Sequence, residues 1–269
     1  MAVTPFQVGI LRLIARKRID GGETYVAGGL ALNHQLRCSR VSADINVFSD
    51  TYEAMVSAAD LDCALLRENG YAVRIVRERT SIVEVVVSRD GNATDIQWVR
   101  DSAHRFFPLI NDPLLGATLH PFDLATNKLL ALAGRSVPRD WVDTVSCAGL
   151  VQPLGLLAWA ASGKDPGLSP RYVLDMAART RYAQSEIDVA VNTAETVDVA
   201  ALSRKWHLMI EEGRRLITAL PAEHVGKAVL NKDGTLFSGS FAELAKDVES
   251  GSVMFHAGRI CGAWPQIVS

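Results

Sequence analysis

The stretch from Thr24 to Ser49, "TYVAGGLALNHQLRCSRVSADINVFS", constrains the fold more than any other part of the chain. Four residues of strand character meet two glycines, and the chain then continues as a helix. A strand that passes straight into a helix belongs to layered architectures in which helices cover a sheet. "ADINVFS" follows, with apolar Ile45 and Val47 alternating against polar Asp44 and Asn46, the period of a half-buried strand. Residues 51–69 read as a helix that stops near Gly70. "AVRIVRERT" and "IVEVVVSR" read as strands, and a turn at Asp90-Gly91 leads into "TDIQWV", a further strand. Ahead of these, residues 5–18 place Phe6, Ile10, Leu13 and Ile14 at helical spacing.

The character changes after Pro121. "FDLATNKLLALAGR" predicts a helix ending by Gly134, and Pro138 can open a second over "RDWVDTVSCAGLV". Helices are expected to dominate to about Leu220, with a late hairpin in "KAVLNKDGTLF" turning at Asp233-Gly234. The expected class is α+β: an α/β part over residues 1–120 and a mainly helical part over 121–269, packed together because no flexible linker separates them. Net charge is −2, which excludes a chain-wide positive field for nucleic acid and leaves only local basic patches. Candidates are Arg12, Arg16, Lys17 and Arg18, and in a late helix Arg204, Lys205, Arg214 and Arg215. The longest apolar stretch, Gly155 to Ala161, is too short to span a bilayer, and the N-terminus does not read as a signal peptide. Cys38, Cys63, Cys147 and Cys261 are scattered, without a CxxC or a Cys/His cluster, so neither a disulfide framework nor a zinc site is expected and a cytoplasmic location fits. His256 and Cys261 read as structural.

Asp44 and Asn46 share one face of their strand, because side chains repeat with period two. Asp95, on a second strand, can face them. Carboxylates on adjacent strands are a means of holding the divalent cations that neutralise and align a nucleotidyl displacement. Gly28 and Gly29 present no side chain to obstruct a phosphate, and the helix that follows offers free N–H groups at the positive end of its dipole. Singly, each feature has a plainer reading: a turn for the glycines, a solvated strand face for the acids.

Taken in order, Gly28, Gly29, Ala31 and Leu32, then Arg40, Ser42, Asp44, Ile45 and Asn46, resemble the opening motif of the AbiEii/AbiGii toxin family of nucleotidyltransferases, in the DNA polymerase β-type superfamily. "FDLATNKLLALAGRSVPRDWVDTV" is similar to that family's second signature, through Lys128, Arg135, Arg139, Asp140 and Asp143; together the matches span roughly residues 24–145. The resemblance implies a polymerase-β-type core and a magnesium- or manganese-dependent toxin that moves NMP from an NTP to an acceptor such as tRNA, opposed by an antitoxin. It also implies roles: Asp44, Asn46 and Asp95 at the metal, Gly28, Gly29 and Ser42 at the nucleotide, Lys128 on the β- or γ-phosphate, and Asp143 as a polar active-site group. The family pattern has Asp where this chain has Asn46, which removes one negative charge from the site. Two alternatives remain open: a non-catalytic binder of nucleotide or protein, and a nucleotidyltransferase acting on a small molecule. Read as structure alone, Asp143 is an i,i+4 partner of Arg139, and Lys128, beside the apolar face of Leu124, Ala125, Ala131 and Leu132, requires a counter-charge.

Overall fold

The computed structural model describes residues 3–15, 23–193 and 196–267. The chain divides into two compact units: Met1–Ala103 with Pro108–His120, and His104–Phe107 with Pro121–Ser269. The short stretch His104–Phe107 thus belongs to the second unit, although it lies inside the span the sequence assigns to the first.

In the first unit, α1 (Pro5–Ile14) precedes β1 (Thr24–Ala27), α2 (Gly28–Gln35), β2 (Asp44–Ser49) and α3 (Tyr52–Glu68). The strands β3 (Ala72–Arg79), β4 (Ile82–Arg89) and β5 (Asn92–Arg100) follow as a meander. Three short strands follow: β6 (His104–Arg105), which falls to the second unit, then β7 (Ile110–Asp112) and β8 (Gly116–Thr118). The seven-stranded sheet has the order β3-β4-β5-β2-β1-β8-β7. It is mixed: β2 runs parallel to β5 and β1 to β8, while the other neighbours are antiparallel. An α+β class with a mixed sheet is what the sequence predicts.

One sheet face is apolar and packed. Ile45, Val47, Val85, Val87, Ile96 and Trp98 are buried there. Buried Asp62 of α3 accepts a hydrogen bond from Trp98 Nε1 at 2.9 Å, which fixes α3 over this face. The opposite face carries the alternate residues Asp44, Asn46, Asp95, Gln97 and Glu84. The buried stripe of α1 is Gln7, Ile10, Leu11 and Ile14. Phe6 and Leu13 are only half-buried, so the stripe is rotated from the one the apolar spacing suggests. The reason is that Gln7 has buried work to do, described below.

The second unit contains α4 (Pro121–Arg135), α5 (Pro138–Leu150), α6 (Leu154–Ala161), α7 (Pro170–Ala177), α8 (Gln184–Ala190) and α9 (Val199–Thr218). It continues with β9 (Lys227–Asn231), α10 (Phe241–Glu249), β10 (Val253–Ala257) and β11 (Arg259–Ile260). Every residue of α6 is buried. It can lie so close to α9 because Gly155 faces Gly213, where a methyl on Gly155 would meet the Gly213 carbonyl oxygen at 2.5 Å. Around α6, Leu156, Trp159, Leu216, Leu220, Val229, Phe237 and Leu244 form one apolar cluster. The turn at Asp233-Gly234 is present, with Gly234 at φ 83°. The expected hairpin is present but short: Leu230 bridges Leu236, Asn231 N–H donates to the Thr235 carbonyl at 2.8 Å and Phe237 N–H to the Val229 carbonyl at 3.2 Å, while the longer ladder of β9 is with β10. α10, inserted between the two strands, supplies Leu244 to the cluster and so repays the longer connection. No single described helix is long and apolar enough to cross a membrane.

Candidate active site

The chain leaves β1 at Ala27 and enters α2 through Gly28, whose φ of 72° favours glycine. Space makes the same demand, since a Cβ on Gly28 would lie 2.9 Å from Asn46 Nδ2. A Cβ on Gly29 would lie 2.5 Å from Arg40 Nη2, so the buried Arg40 guanidinium rests on that glycine. Ala27 occupies the N-cap and has no side-chain oxygen to offer, which leaves the first N–H groups of α2 without a side-chain cap.

Asp44 and Asp95 are in register on the neighbouring parallel strands β2 and β5. Paired positions share a face, and adjacent strands are spaced at about 4.8 Å. Two carboxylates are therefore juxtaposed. Asp44 is half-buried, while Asp95 is exposed. Ser42 Oγ donates to Asp44 Oδ1 at 3.0 Å and Asn46 Nδ2 donates to Asp44 Oδ2 at 2.9 Å. Beyond them Asn46 is in register with Gln97, Gln97 Nε2 donates to Glu84 Oε1 at 2.9 Å, and Glu84 pairs with Arg77 at 2.8 Å. The polar row thus runs across three further strands.

From beneath, buried Gln7 of α1 ties the starts of both acidic strands together. Its Nε2 donates to the Ser42 carbonyl at 2.9 Å and to Thr94 Oγ1 at 3.3 Å, and Thr94 Oγ1 donates to the Ala43 carbonyl at 2.9 Å. Gln7 gives no sequence signal, because a glutamine among apolar helix positions looks like ordinary surface. Gln97 was within reach of the sequence: extending the period-two pattern along β5 from Asp95 places it on the same face.

Two carboxylates and a serine hydroxyl suit one hard divalent cation. They do not make the three-carboxylate set that two cations require. Among the described residues, no group of three or more His, Cys, Asp or Glu could hold a metal ion. Asn46, where an aspartate would complete the set, presents its amide nitrogen to Asp44 instead.

The second signature forms a compact ion cluster inside the second unit. Lys128 is 8 % exposed, and its Nζ lies 2.8 Å from Asp140 Oδ1 and 3.1 Å from Asp143 Oδ2. Arg135 Nε donates to Asp140 Oδ2 at 2.6 Å, and Thr144 Oγ1 donates to the Asp140 carbonyl at 2.6 Å. Burial would raise the Asp140 pKa, but the hydrogen bond from Arg135 and the charge and hydrogen bond of Lys128 outweigh it and hold the carboxyl below its ordinary value. Lys128 and Asp143 are therefore brought together with each other, and the counter-charge that Lys128 requires is supplied twice. Asp143 takes Lys128 as a partner from the preceding helix, a contact that the local i,i+4 reading does not contain.

Of the basic candidates, Arg12, Arg204, Lys205 and Arg215 are exposed. Arg214 is engaged with Asp175 at 2.8 Å. Arg16, Lys17 and Arg18 lie outside the described residues.

No protein-family model matches the chain, and no curated protein matches it. Solved structures do. The nucleotidyltransferase toxin MenT4 of Mycobacterium tuberculosis H37Rv is 15% identical, with a TM-score of 0.55 over 81% of this chain and 83% of that one. The protein JHP933 of Helicobacter pylori is 15% identical, with a TM-score of 0.50 over 77% of this chain and 90% of that one. Both span most of this chain, so the likeness extends past the sheet into the helical part. The fold is therefore one that this chain shares with MenT4 and JHP933.

Proposed function

We propose that this protein transfers a nucleoside monophosphate from a nucleoside triphosphate to an RNA acceptor such as tRNA, and that it acts as the toxin of a toxin–antitoxin pair. The observation that carries the reading is the register of Asp44 and Asp95 on parallel strands of an open sheet face, beside the uncapped start of α2. A divalent cation, magnesium or manganese, would neutralise the triphosphate and be held by Asp44 and Asp95. Ser42 and Asn46 orient the Asp44 carboxylate through their hydrogen bonds. The first N–H groups of α2 have no side-chain cap and lie at the positive end of the helix dipole, which suits a phosphate oxygen. Lys128 is neutralised within its own unit, so triphosphate binding is assigned to the α2 N–H groups in preference to Lys128.

The test is incubation with labelled nucleoside triphosphates, magnesium or manganese and total RNA. Label should pass to RNA, and Asp44→Ala should abolish the transfer. Transfer that survives in Asp44→Ala removes the metal mechanism. A second reading, a non-catalytic nucleotide binder, is favoured by the Asn46-to-Asp44 hydrogen bond, which satisfies the carboxylate without a cation. It predicts nucleotide binding with no label on any acceptor, and growth arrest on expression that Asp44→Ala leaves intact.

A further inference from the structure

We infer that the second unit carries a separate site for an unpaired base of single-stranded RNA, together with its phosphate. This inference rests on the acceptor being RNA. The site is a cavity of about 380 Å³ between the β10–β11 segment and the extended stretch that follows, lined by Met254, His256, Arg259, Trp264 and Gln266 among others. That volume falls in the range of small-molecule sites.

Its chemistry selects the ligand. The chain as a whole has 30 acidic and 28 basic residues, yet none of the ten lining residues is acidic and both titratable ones, His256 and Arg259, are basic. Asp123, the carboxylate that anchors the neighbouring Phe106 and Phe107 N–H groups, is wholly buried and neutralised by Lys164 at 2.8 Å. The wall is aromatic. Trp264 is 61% exposed, and its ring lies 6.3 Å from Phe107, which in turn lies 5.1 Å from His256. His256 Nε2 donates to the Phe106 carbonyl at 2.8 Å, so that ring is held in place. An exposed tryptophan on a fixed aromatic base is a stacking platform, and alternation of aromatic and basic groups is how proteins hold single strands.

Arg259, on β11 opposite Arg105 of β6, is exposed and lines the cavity. Arg259 itself makes only a long contact, 3.4 Å from Nε to the Gly262 carbonyl, among the described residues. Its planar fork is well matched to phosphate oxygens.

The experiment measures binding of a fluorescein-labelled 12-nucleotide single-stranded RNA by anisotropy, beside a duplex of the same sequence. Labelled NTP binding is measured in the same preparations. Trp264→Ala should weaken single-strand affinity about tenfold, and Trp264→Phe should recover most of it, as expected for base–aromatic stacking. Arg259→Gln should weaken binding and flatten its salt dependence. All three variants should bind NTP as the parent does. Single-strand affinity indifferent to Trp264, or equal affinity for the duplex, overturns the site. If Trp264→Ala loses RNA binding while the parent transfers no nucleotide, the site stands and the proposed activity falls. If transfer to RNA occurs and Trp264→Ala binds as the parent does, the reverse holds.

Discussion

Asn46 is where a single residue changes what the site can do. Its amide donates to Asp44 and lies against Gly28. Asn46→Asp would replace that donor with a third carboxylate beside Asp44 and Asp95. Without a cation the three repel, so the melting temperature should fall; with manganese or magnesium added it should rise by more than in the parent. A melting curve with and without metal reads both signs, and equal metal responses in the two proteins would exclude a shared cation at these positions. Lys128 presents the opposite situation. Lys128→Met would leave Asp140 and Asp143 buried against a lost partner, and breaking a buried pair in this way costs about 3–5 kcal/mol. Urea unfolding should show the loss. An activity assay on that variant would report mainly on folding, which makes Asp44 the cleaner probe of mechanism.

At the scale of elements, two close approaches decide whether the helices can sit where they do. Gly28→Ala places a side chain at φ 72° and 2.9 Å from Asn46 Nδ2. Left-handed backbone costs an ordinary residue about 1–2 kcal/mol, and the collision would also push Asn46 off Asp44. Stability and nucleotide affinity should therefore fall together. Gly155→Ala tests the α6–α9 contact. Its methyl would strike the Gly213 backbone, which cannot rotate away as a side chain could, and overpacking of this kind costs about 1–3 kcal/mol. Urea unfolding should show that loss with nucleotide binding unchanged. The strand-to-helix turn was legible because glycine is demanded there by backbone geometry. The pairing of β9 with β10 was not, because nothing in "KAVLNKDGTLF" reports that α10 intervenes before the partner strand arrives.

Across the whole molecule, the two units should differ in their response to acid. Asp140 has a folded pKa below its ordinary value of 3.8. The stability that its ionised form contributes is therefore fully present above that value and is lost progressively as pH falls below it. Four of the five tryptophans, Trp141, Trp159, Trp206 and Trp264, belong to the second unit, so tryptophan fluorescence follows mainly that unit. Its acid transition should become shallower in Asp140→Asn, while the Trp98 environment in the first unit is unaffected by the change. An acid transition of the same steepness in Asp140→Asn would mean that other carboxylates govern it.

Sequence alone determined what local rules control. Period-two alternation put Asp44 and Asn46 on one strand face, the glycine pair marked a strand-to-helix turn, and Pro121 and Pro138 opened α4 and α5 where proline is tolerated at a helix start. The α+β class followed from the order of those elements. Tertiary structure alone decided the pairings between distant residues. It set Asp44 opposite Asp95, brought Gln7 under both strands, laid Arg40 across Gly29, and enclosed Lys128 between Asp140 and Asp143. Side-chain period says which way a residue points. Which charge it meets depends on how separate elements pack, and burial then sets the strength of the interaction by removing the water that would otherwise screen it.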